Sequence, residues 1–504
     1  MTERRNRRTA PAVLCLLAFI LLATLNSGGY RYGASDQAFY APAALKQIHP
    51  ALYPRDTALL TAQAQLTFVD NIVGTLGRAT GVSLPTMFGA LYLLGLIGIA
   101  GGAAAVGRQL YRDRWTTIAL LAALTLRHAI TKSGTNTLEG YFHPRQLAFA
   151  IGLVAIAAFL RGTWPAAAVL ALAAGAIHPT TALWFCIWLG VAIAISERRA
   201  RLPLAIAAGA GAVAAVWVLT AGPLAGRLVA MDREWLDTLA TKDYLFPLDW
   251  PLSAWIVNLA YVPLIAWLFR RRVAAGVARP RERALVYGCL TLAAIFVATL
   301  PLHAMRLVLA IQLQPARLFW MLDFVATVYV VWALAEGTRA PERDRSDGVR
   351  RRWRRSMVTA AVIALLAATR GLYSKMVLER PLAQFDLPAT DWGRAMAWAR
   401  RTDVRSGWLA DPGHAWMYGS SVRVAGQRDV LVEPVKDAAV GMYDRAVALA
   451  VRDRVQALGD FTSLTAERSR ALAARYDLDY LITEHTLELP LAFESGRLRV
   501  YRLR

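Results

Sequence analysis

The chain has 504 residues, of which 56% are hydrophobic and only 18% are charged, and its mean hydropathy is +0.37. This composition excludes an ordinary soluble protein and indicates a polytopic membrane protein, because the apolar residues come in repeated long blocks. The net charge of +22 falls mainly in short basic segments between those blocks, so it reflects membrane topology and does not indicate nucleic-acid binding. Cys15, Cys186 and Cys289 lie inside apolar blocks and predict no disulfide framework.

About eleven of these blocks are candidate membrane spans. They cover residues 11–27, 85–107, 115–130, 147–160, 164–177, 180–195, 202–221, 253–269, 284–300, 318–335 and 357–371. The first block follows the basic start MTERRNRRT, and no small-residue cleavage site follows it. We therefore interpret it as a retained helix and not as a signal peptide.

The basic segments predict the orientation of the chain in a cell inner (plasma) membrane. With a cytoplasmic N-terminus, all of them fall on the cytoplasmic side. They are RRNRR, RQLYRDR, Arg161, RRAR, and the runs 270–283 and 339–355. An odd number of spans then places the tail, residues 373–504, in the extracytoplasmic space.

The predicted architecture is an α-helical polytopic membrane domain, residues 1–372, followed by a small extracytoplasmic α/β domain, residues 373–504. The domain boundaries rest on the end of the last apolar block and the mixed charge of the tail. Long outer loops are expected at 28–84, 131–146, 222–252 and 300–317. In the tail, helices are predicted at 391–401 and 439–458, and strands at 406–410, 428–434, 478–484 and 498–503. We expect function on the outer face, where the loops are long.

The first outer loop contributes two candidate catalytic acids. Asp36 follows the first span closely, among interfacial aromatic residues, where a carboxylate can accept a proton from an acceptor hydroxyl while a lipid-linked donor approaches from the bilayer. The alternative is that Ser35 or Asp36 only caps a short interfacial helix. Asp56, after Tyr53 and Pro54, is the second candidate, with loop capping as its alternative.

The second outer loop places Glu139, His143 and Arg145 within seven residues, just before a helix start at Pro144. Glu139 is a third candidate acid. Arg145 is a candidate ligand for a donor phosphate, helped by the free amides of the helix terminus, and His143 is a candidate phosphate or metal ligand. Simple interfacial anchoring remains the alternative for this group. His178, in a tight outer turn, is a candidate cavity residue or a hydrogen-bonded turn histidine.

The segment 300–317 contributes Arg306, Gln314 and Arg317 within an apolar region. Charged groups at membrane depth are costly unless they are paired or bind a ligand, so both arginines are candidates for the donor phosphate and Gln314 for the cavity. Snorkelling of the arginines to the interface is the alternative. The sequence contains no glycine-rich phosphate loop, serine nucleophile motif or zinc signature.

Three stretches carry a family resemblance: DQAFYAPAALKQIHPALYPRD in the first outer loop, LQPAR at 313–317, and the tail end YDLDYLIT…GRLRVYRL. Together with the order of spans, loops and tail, they are similar to poorly characterised bacterial members of the GT-C superfamily, including mannosyltransferase-like proteins. Those membrane glycosyltransferases use polyprenyl-phosphate sugars. Relatives often carry adjacent acids in the first loop, whereas here Gln37 follows Asp36.

The resemblance implies a polyprenyl-phosphate-linked sugar as donor, membrane lipids as surroundings, and an extracytoplasmic glycan, lipid or protein as acceptor. It implies that Asp36 is the acceptor-activating base or a ligand of a divalent cation, with no other cofactor indicated. Two other classes stay open. One is a transporter or flippase of a lipid-linked or anionic solute, for which we find no paired half-domains. The other is a non-catalytic envelope assembly protein, which is favoured by the absence of a second acid next to Asp36.

Overall fold

The computed structural model describes residues 2–64, 66–337 and 346–504, and most of them are helical. Before the tail, the helices are α1 (Thr2–Asn26), α2 (Gln37–Ile48), α3 (Thr57–Ala64), α4 (Val69–Thr80), α5 (Leu84–Leu110), α6 (Arg114–Leu124), α7 (Pro144–Arg161), α8 (Trp164–Ile177), α9 (Pro179–Ser196), α10 (Arg201–Thr220), α11 (Arg233–Leu239), α12 (Leu252–Ala274), α13 (Pro280–Ala304), α14 (Val308–Leu313), α15 (Phe319–Ala335) and α16 (Ser346–Met376). Part of the predicted basic run 339–355 lies outside the described residues.

Within the described part of the chain, eight helical segments are long and apolar enough to cross a membrane: α5, α7, α9, Arg198–Thr220 with α10, α12, α13, Val308–Ala335 with α14 and α15, and α16. Three shorter apolar helices, the segment Ala10–Asn26 of α1, α6 and α8, coincide with the other predicted spans. Each predicted span therefore falls on a helix, and the chain is a multi-pass membrane protein. The total of eleven membrane crossings and the cytoplasmic location of the N-terminus stay predictions.

The centre of the bundle is formed by α7 and the segment Val308–Ala335, each with 78% of its apolar window buried. Phe149 of α7 stacks on Trp320 of α15, with ring centroids 3.9 Å apart. Gly152 allows α9 to approach, since a Cβ atom there would lie 2.3 Å from the ring of Phe185. This packing fixes the N-terminal ends of α7 and α15, next to which the predicted site residues lie.

Much of the first outer loop is helical, and Gln37 anchors its start. The Gln37 side chain is fully buried. Its Oε1 atom accepts a hydrogen bond from the Gly33 amide at 2.6 Å, and its Nε2 atom donates to the Phe142 carbonyl at 3.1 Å. Gln37 therefore joins the first outer loop to the second and brings Asp36 towards His143.

Two short strand pairings lie at the same end of the bundle. Strand β1 (Tyr30–Arg31) and strand β4 (Ala383–Gln384) pair in parallel, which ties the start of the first loop to the start of the tail. Strands β2 (Ala129–Ile130) and β3 (Thr135–Asn136) form an antiparallel pair in the second outer loop. The pairings bring the first two outer loops and the tail together at one end of the bundle.

The tail contains helices around a five-stranded mixed sheet. The helices are α17 (Asp391–Ala399), α18 (His414–Met417), α19 (Val422–Ala425), α20 (Pro434–Gly441), α21 (Arg445–Leu458) and α22 (Ala466–Tyr476), and the strands are β5 (Gly407–Ala410), β6 (Asp429–Val430), β7 (Tyr480–Thr483), β8 (Leu491–Ser495) and β9 (Leu498–Arg502). The strand order is β6–β5–β7–β9–β8, with β5 parallel to β6 and β7. The four predicted strands coincide with β5, β6, β7 and β9, whereas β8 was not predicted.

Both faces of the central strand β5 are covered. Trp408 packs into an apolar cluster with Trp392, and the next residue, Leu409, packs into a second cluster with Leu431. Successive side chains of a strand point to opposite faces, so helices lie on both sides of the sheet. The α/β class predicted for the tail agrees with this arrangement, while the boundary at residue 373 stays a prediction because α16 runs on to Met376.

The single helix predicted over 439–458 was wrong, because the chain breaks between α20 and α21. Asp444 caps α21 by accepting a hydrogen bond from the Val447 amide at 3.1 Å. The break leaves Met442 and Tyr443 between the two helices. The apolar periodicity continues across the break, which is why the pattern predicted one helix.

Buried ion pairs fasten the tail to the first outer loop. The Arg423 guanidinium, fully buried in α19, binds Asp56 at 2.6 Å and Asp437 of α20 at 2.7 Å. Arg454 of α21 binds the other carboxylate oxygen of Asp56 at 3.0 Å. These contacts hold α20 against the first loop, next to Asp36.

Candidate functional site

A polar cavity of about 210 Å³ lies where the outer loops meet the tail. Its walls come from five separate parts of the chain: the start of α2, the residues before α7, the third outer loop, the residues before α15, and α20 with the break that follows it. Its titratable lining residues are Asp36, Tyr40, Glu139, Tyr141, His143, Arg145, Lys242, Tyr244, Arg317, Lys436 and Tyr443. The cavity therefore brings together most, but not all, of the predicted site residues.

Asp36 precedes α2, but its side chain makes no capping hydrogen bond. Its Oδ1 atom accepts a hydrogen bond from Lys436 at 2.6 Å, and its Oδ2 atom lies 3.3 Å from Nε2 of His143. Burial alone would raise the pKa of Asp36, but Lys436 and His143 outweigh burial and hold that pKa well below its usual value. The carboxylate is therefore ionised at neutral pH and faces the cavity.

His143 is the N-cap of α7, and this role sets its tautomer. Its Nδ1 atom accepts a hydrogen bond from the Arg145 amide at 3.2 Å, which leaves Nε2 to carry the proton and donate to Asp36. Burial and then the neighbouring Arg145 lower the pKa of His143 to about 3. The ring is therefore neutral, and it orients the Asp36 carboxylate without adding a charge to the cavity.

Two arginines in the cavity keep unused hydrogen-bond donors. Arg145 binds Glu139 at 2.5 Å through Nη2, while its Nε and Nη1 atoms are buried without a partner. The Nε atom of Arg317 is also buried without a partner, and no carboxylate of the described residues forms an ion pair with Arg317. A buried unpaired donor costs about 1–3 kcal/mol. Such donors on two guanidinium groups at one cavity favour an anionic ligand.

Two lysines complete the positive side of the cavity. Lys436 comes from α20, and Lys242 of the third outer loop donates a hydrogen bond to the Val435 carbonyl at 2.5 Å. Burial and then Lys436 lower the pKa of Lys242 to about 8. The cavity thus holds four cationic side chains, on Arg145, Lys242, Arg317 and Lys436, against the two carboxylates of Asp36 and Glu139. The excess of positive charge is compatible with an anionic ligand such as a phosphate group.

An apolar groove of about 540 Å³ adjoins the polar cavity. Tyr40 and Tyr443 line both, so they form the shared wall. The apolar side chains of the groove come from the first loop, α9, α10 and α14, and they include Phe68, Leu183, Val218, Leu309 and Leu313. An elongated apolar chain in the groove would have its polar end next to Arg317 and Asp36.

His178 lies in the groove and not in the polar cavity. Its Nδ1 atom accepts a hydrogen bond from the Thr181 amide at 3.2 Å and so caps α9. Its ring centroid is 6.2 Å from that of His143. The interpretation of His178 as a hydrogen-bonded turn histidine therefore agrees with the geometry, and its second ring nitrogen is left for the groove.

Two of the predicted site residues, Asp56 and Arg306, lie away from the polar cavity. Asp56 does not line the cavity: its side chain is completely buried, and both oxygens are held by Arg423 and Arg454. Arg306 also lies outside the cavity and pairs with Asp249 at 3.3 Å. Helix α14 separates it from Arg317, so two arginines that are close in sequence reach different surroundings.

Gln314 supports the cavity from behind. Its Nε2 atom donates a hydrogen bond to the hydroxyl of Tyr443 at 3.4 Å, so it positions a wall residue and does not itself line the cavity. Six titratable lining residues were missed from the sequence: Tyr40, Tyr141, Lys242, Tyr244, Lys436 and Tyr443. No motif surrounds either lysine, and Tyr443 fell in the middle of the helix predicted over 439–458. A capping signal was present for Tyr443, because Asp444 starts a new helix.

The lining residues do not fit a divalent cation. No group of three or more histidine, cysteine, aspartate or glutamate side chains comes together anywhere in the described ranges 2–64, 66–337 and 346–504. Asp36 and His143 meet as a pair only, and Lys436 holds the other oxygen of Asp36. The role of metal ligand that the family resemblance implied for Asp36 is therefore not carried further.

The chain is a multi-pass membrane protein with a polar cavity at one end of its bundle, lined by more cationic than anionic side chains. No family model and no curated protein matches the chain. Among solved structures, it is similar to the oligosaccharyltransferase of Archaeoglobus fulgidus in complex with Zn and sulfate, with a TM-score of 0.44 and 12% identity over 93% of this chain and 67% of that one. At this level of similarity, function has to be inferred from the site residues themselves.

Proposed function

We propose that the protein is a membrane glycosyltransferase that moves a sugar from a polyprenyl-phosphate donor to the hydroxyl group of an extracytoplasmic acceptor. The proposal rests on one observation: the polar cavity and the apolar groove share a wall. A cavity with Asp36 and two excess positive charges meets an apolar groove at Tyr40 and Tyr443. A donor with a lipid chain, a phosphate and a sugar needs that combination.

The donor phosphate would bind between Arg145 and Arg317. Their Nε atoms and Nη1 of Arg145 have no partner within the described chain, and guanidinium groups bind phosphate oxygens with paired hydrogen bonds. Lys242 adds a third cation to the same cavity. These groups stabilise the negative charge that builds up on the phosphate as it leaves the sugar.

Asp36 is the base in this proposal. The acceptor oxygen attacks the anomeric carbon from the face opposite the phosphate, the bond from that carbon to the phosphate oxygen breaks with its electron pair on the phosphate, and the hydroxyl proton passes to Asp36. Attack from the opposite face inverts the configuration of the sugar. Nε2 of His143 donates to Asp36 and keeps its carboxylate turned towards the cavity. Glu139 is the counter-ion of Arg145 and not a second base.

The lipid part of the donor would lie in the apolar groove, among side chains such as Leu183, Val218 and Leu309. The groove volume of about 540 Å³ accommodates only the first isoprene units, and the rest of the chain would extend into the bilayer. The sugar and the acceptor would meet on the tail side of the cavity. In this proposal the cavity and the tail face the extracytoplasmic space, as the basic loops predict, and no nucleic acid is involved.

The test replaces Asp36 by Asn in the host cell and follows lipid-linked sugars and envelope glycans by mass spectrometry. We expect an unused polyprenyl-phosphate sugar to accumulate and one glycan to be lost. The matched control is Asp386→Asn, the same change at an exposed aspartate at the start of the tail. Unchanged profiles in Asp36→Asn cells, at normal protein level, would rule out a transferase that uses Asp36 and leave a binding or transport role.

A further inference from the structure

Four arginines gather at the end of the bundle where the tail begins, away from the lining of the polar cavity. Arg31 is in β1, Arg127 follows α6, Arg370 lies near the end of α16, and Arg380 follows that helix. None of them lines the cavity or the apolar groove. The proposed transferase reaction therefore does not use them.

Hydrogen bonds place the four arginines on neighbouring segments of the chain. The Arg31 amide donates to the Gly140 carbonyl at 2.8 Å, and Nε of Arg127 donates to the Leu138 carbonyl at 2.9 Å, so the first two flank one short segment. Arg370 is three residues after Ala367, whose carbonyl binds Asn26 at 3.0 Å near the start of the first loop.

The fourth arginine reaches the same place through the β1–β4 contact. The amide of Tyr30, next to Arg31, donates to the Leu382 carbonyl at 2.9 Å, and Leu382 is two residues after Arg380. Burial and then the neighbouring Arg380 and Arg127 lower the pKa of Arg31, as expected for positive charges held close together.

The positive charge of this arginine cluster is left almost uncompensated. Glu139 approaches Arg127 at 4.0 Å, but it already binds Arg145 at 2.5 Å. The other acid at this place, Asp323, is held by His128 at 2.9 Å and by Tyr261 at 3.0 Å. Glu379, which precedes Arg380 in the chain, makes no ion pair with a described residue. The Nε atom of Arg31 is buried without a hydrogen-bond partner.

The surroundings of the cluster are apolar and exposed. After Arg370, large hydrophobic side chains cover the surface of the chain: Leu372, Tyr373, Met376, Val377, Leu378, Leu382 and Phe385 are all exposed. Such a surface is expected in the lipid interface, since α16 is a candidate membrane span. The arginines therefore lie at the depth of lipid head groups.

We infer that the cluster of Arg31, Arg127, Arg370 and Arg380 is a binding site for the phosphate head group of an anionic bilayer lipid. Guanidinium groups pair with phosphate oxygens, and basic residues next to a membrane span attract anionic lipids. The exposed apolar side chains that follow Arg370 contact the acyl chains. The inference stands independently of the proposed transferase reaction, because none of the four arginines lines the cavity or the groove, although Arg127 lies 4.0 Å from the lining residue Glu139.

The test uses the purified full chain in mixed micelles and counts bound lipids by native mass spectrometry. The lipids compared are phosphatidylglycerol, which is anionic, and phosphatidylcholine, which is zwitterionic. We expect phosphatidylglycerol to bind preferentially to the wild type, and the variant R31Q/R370Q/R380Q to lose that preference by at least about tenfold. The matched control R270Q/R283Q/R350Q removes three exposed arginines at the opposite end of the bundle and should lose clearly less of the preference, since these arginines attract anionic lipid only by their general charge beside a span.

Two outcomes would overturn the inference: equal binding of both lipids to the wild type, or a preference that survives in the triple variant. Because the triple variant changes the partly buried Arg31, the exposed pair R370Q/R380Q is measured as well, and it should lose part of the preference. Glycerol phosphate distinguishes the source of the phosphate. If it displaces phosphatidylglycerol at equal concentration, the site takes soluble phosphate and the lipid assignment is wrong.

Discussion

The first outer loop contains two aspartates, Asp56 and Asp36, and each belongs to a different charge cluster. The two clusters differ in how many of their hydrogen-bond donors have a partner in the protein. Around Asp56, Arg423 and Arg454 meet the carboxylates of Asp56 and Asp437, and the Arg423 and Asp56 side chains are completely buried. Around Asp36, the side chain is about a quarter exposed, and the neighbouring arginines Arg145 and Arg317 keep donors that no described residue accepts.

The Asp56 cluster fastens the tail to the first loop, whereas the Asp36 cluster surrounds an open cavity and keeps unused hydrogen-bond donors. In the first, each charge has a partner inside the protein, and removal of one partner leaves an uncompensated buried charge. In the second, the positive charge exceeds the negative charge, and a cavity remains for an anion. Asp56 and Asp36 are both carboxylates of the same loop in the sequence, yet only Asp36 lines the cavity.

The largest expected effect follows from removing the charge of Asp36. Asp36→Asn removes the proposed base, so we expect the rate of sugar transfer in isolated membranes to fall on the order of 10²- to 10⁴-fold. The midpoint of thermal unfolding should fall less than for Asp56→Asn, because the Lys436 that loses its carboxylate is partly exposed, whereas the Asp56 cluster is buried. If the variant loses much stability but keeps normal activity per folded molecule, Asp36 stabilises the fold and is not the base.

The reverse result is expected for Asp56. Asp56→Asn leaves Arg454 without its carboxylate and should lower the stability of the tail by about 3 kcal/mol. Hydrogen exchange of the β5 amides measures this loss. The control is Asp453→Asn, an exposed aspartate that pairs with Arg475 at 2.6 Å, for which we expect less than about 1 kcal/mol. Equal effects of the two changes would mean that the Asp56 cluster does not fasten the tail.

Arg317→Gln tests whether the open cluster binds the donor phosphate. We expect the affinity for a short-chain polyprenyl phosphate to fall by about 10- to 100-fold, because a charged hydrogen bond to the phosphate is lost. Titration calorimetry in detergent measures the affinity. Arg306→Gln is the matched control, since Arg306 belongs to the same segment but pairs with Asp249 outside the cavity. If both changes weaken binding equally, the loss is not specific to the cavity.

The smallest expected effect is a shift in pH dependence on replacing Lys436. Activity needs ionised Asp36 and is lost as the pH falls through the pKa of that carboxyl group. Lys436 holds this pKa low, so Lys436→Met should raise it and move the acidic limb of the activity profile to higher pH, while His143 and Arg145 still act on the carboxylate. Lys375→Met, at an exposed lysine, should leave the limb in place.

The sequence predicts the membrane class and the positions of the helices well, because a long apolar block is unstable in water and stable as a helix inside a bilayer. It also predicts Asp36, His143 and Arg145 as site candidates, because each lies at the start of a helix next to an outer loop. It fails for Asp56 and Arg306 because their partners, Arg423 and Asp249, come from remote parts of the chain. Lys436 is missed for the same reason: it becomes a site residue only when Arg423 holds α20 against the first loop.

The measurement that tests the central claim most directly is an electron cryomicroscopy structure of the full chain with a short-chain polyprenyl phosphate. We predict the phosphate between Arg145 and Arg317, within reach of Lys242, and the isoprene chain passing Tyr40 and Tyr443 into the groove. A phosphate bound elsewhere, or an isoprene chain outside that groove, would contradict the account.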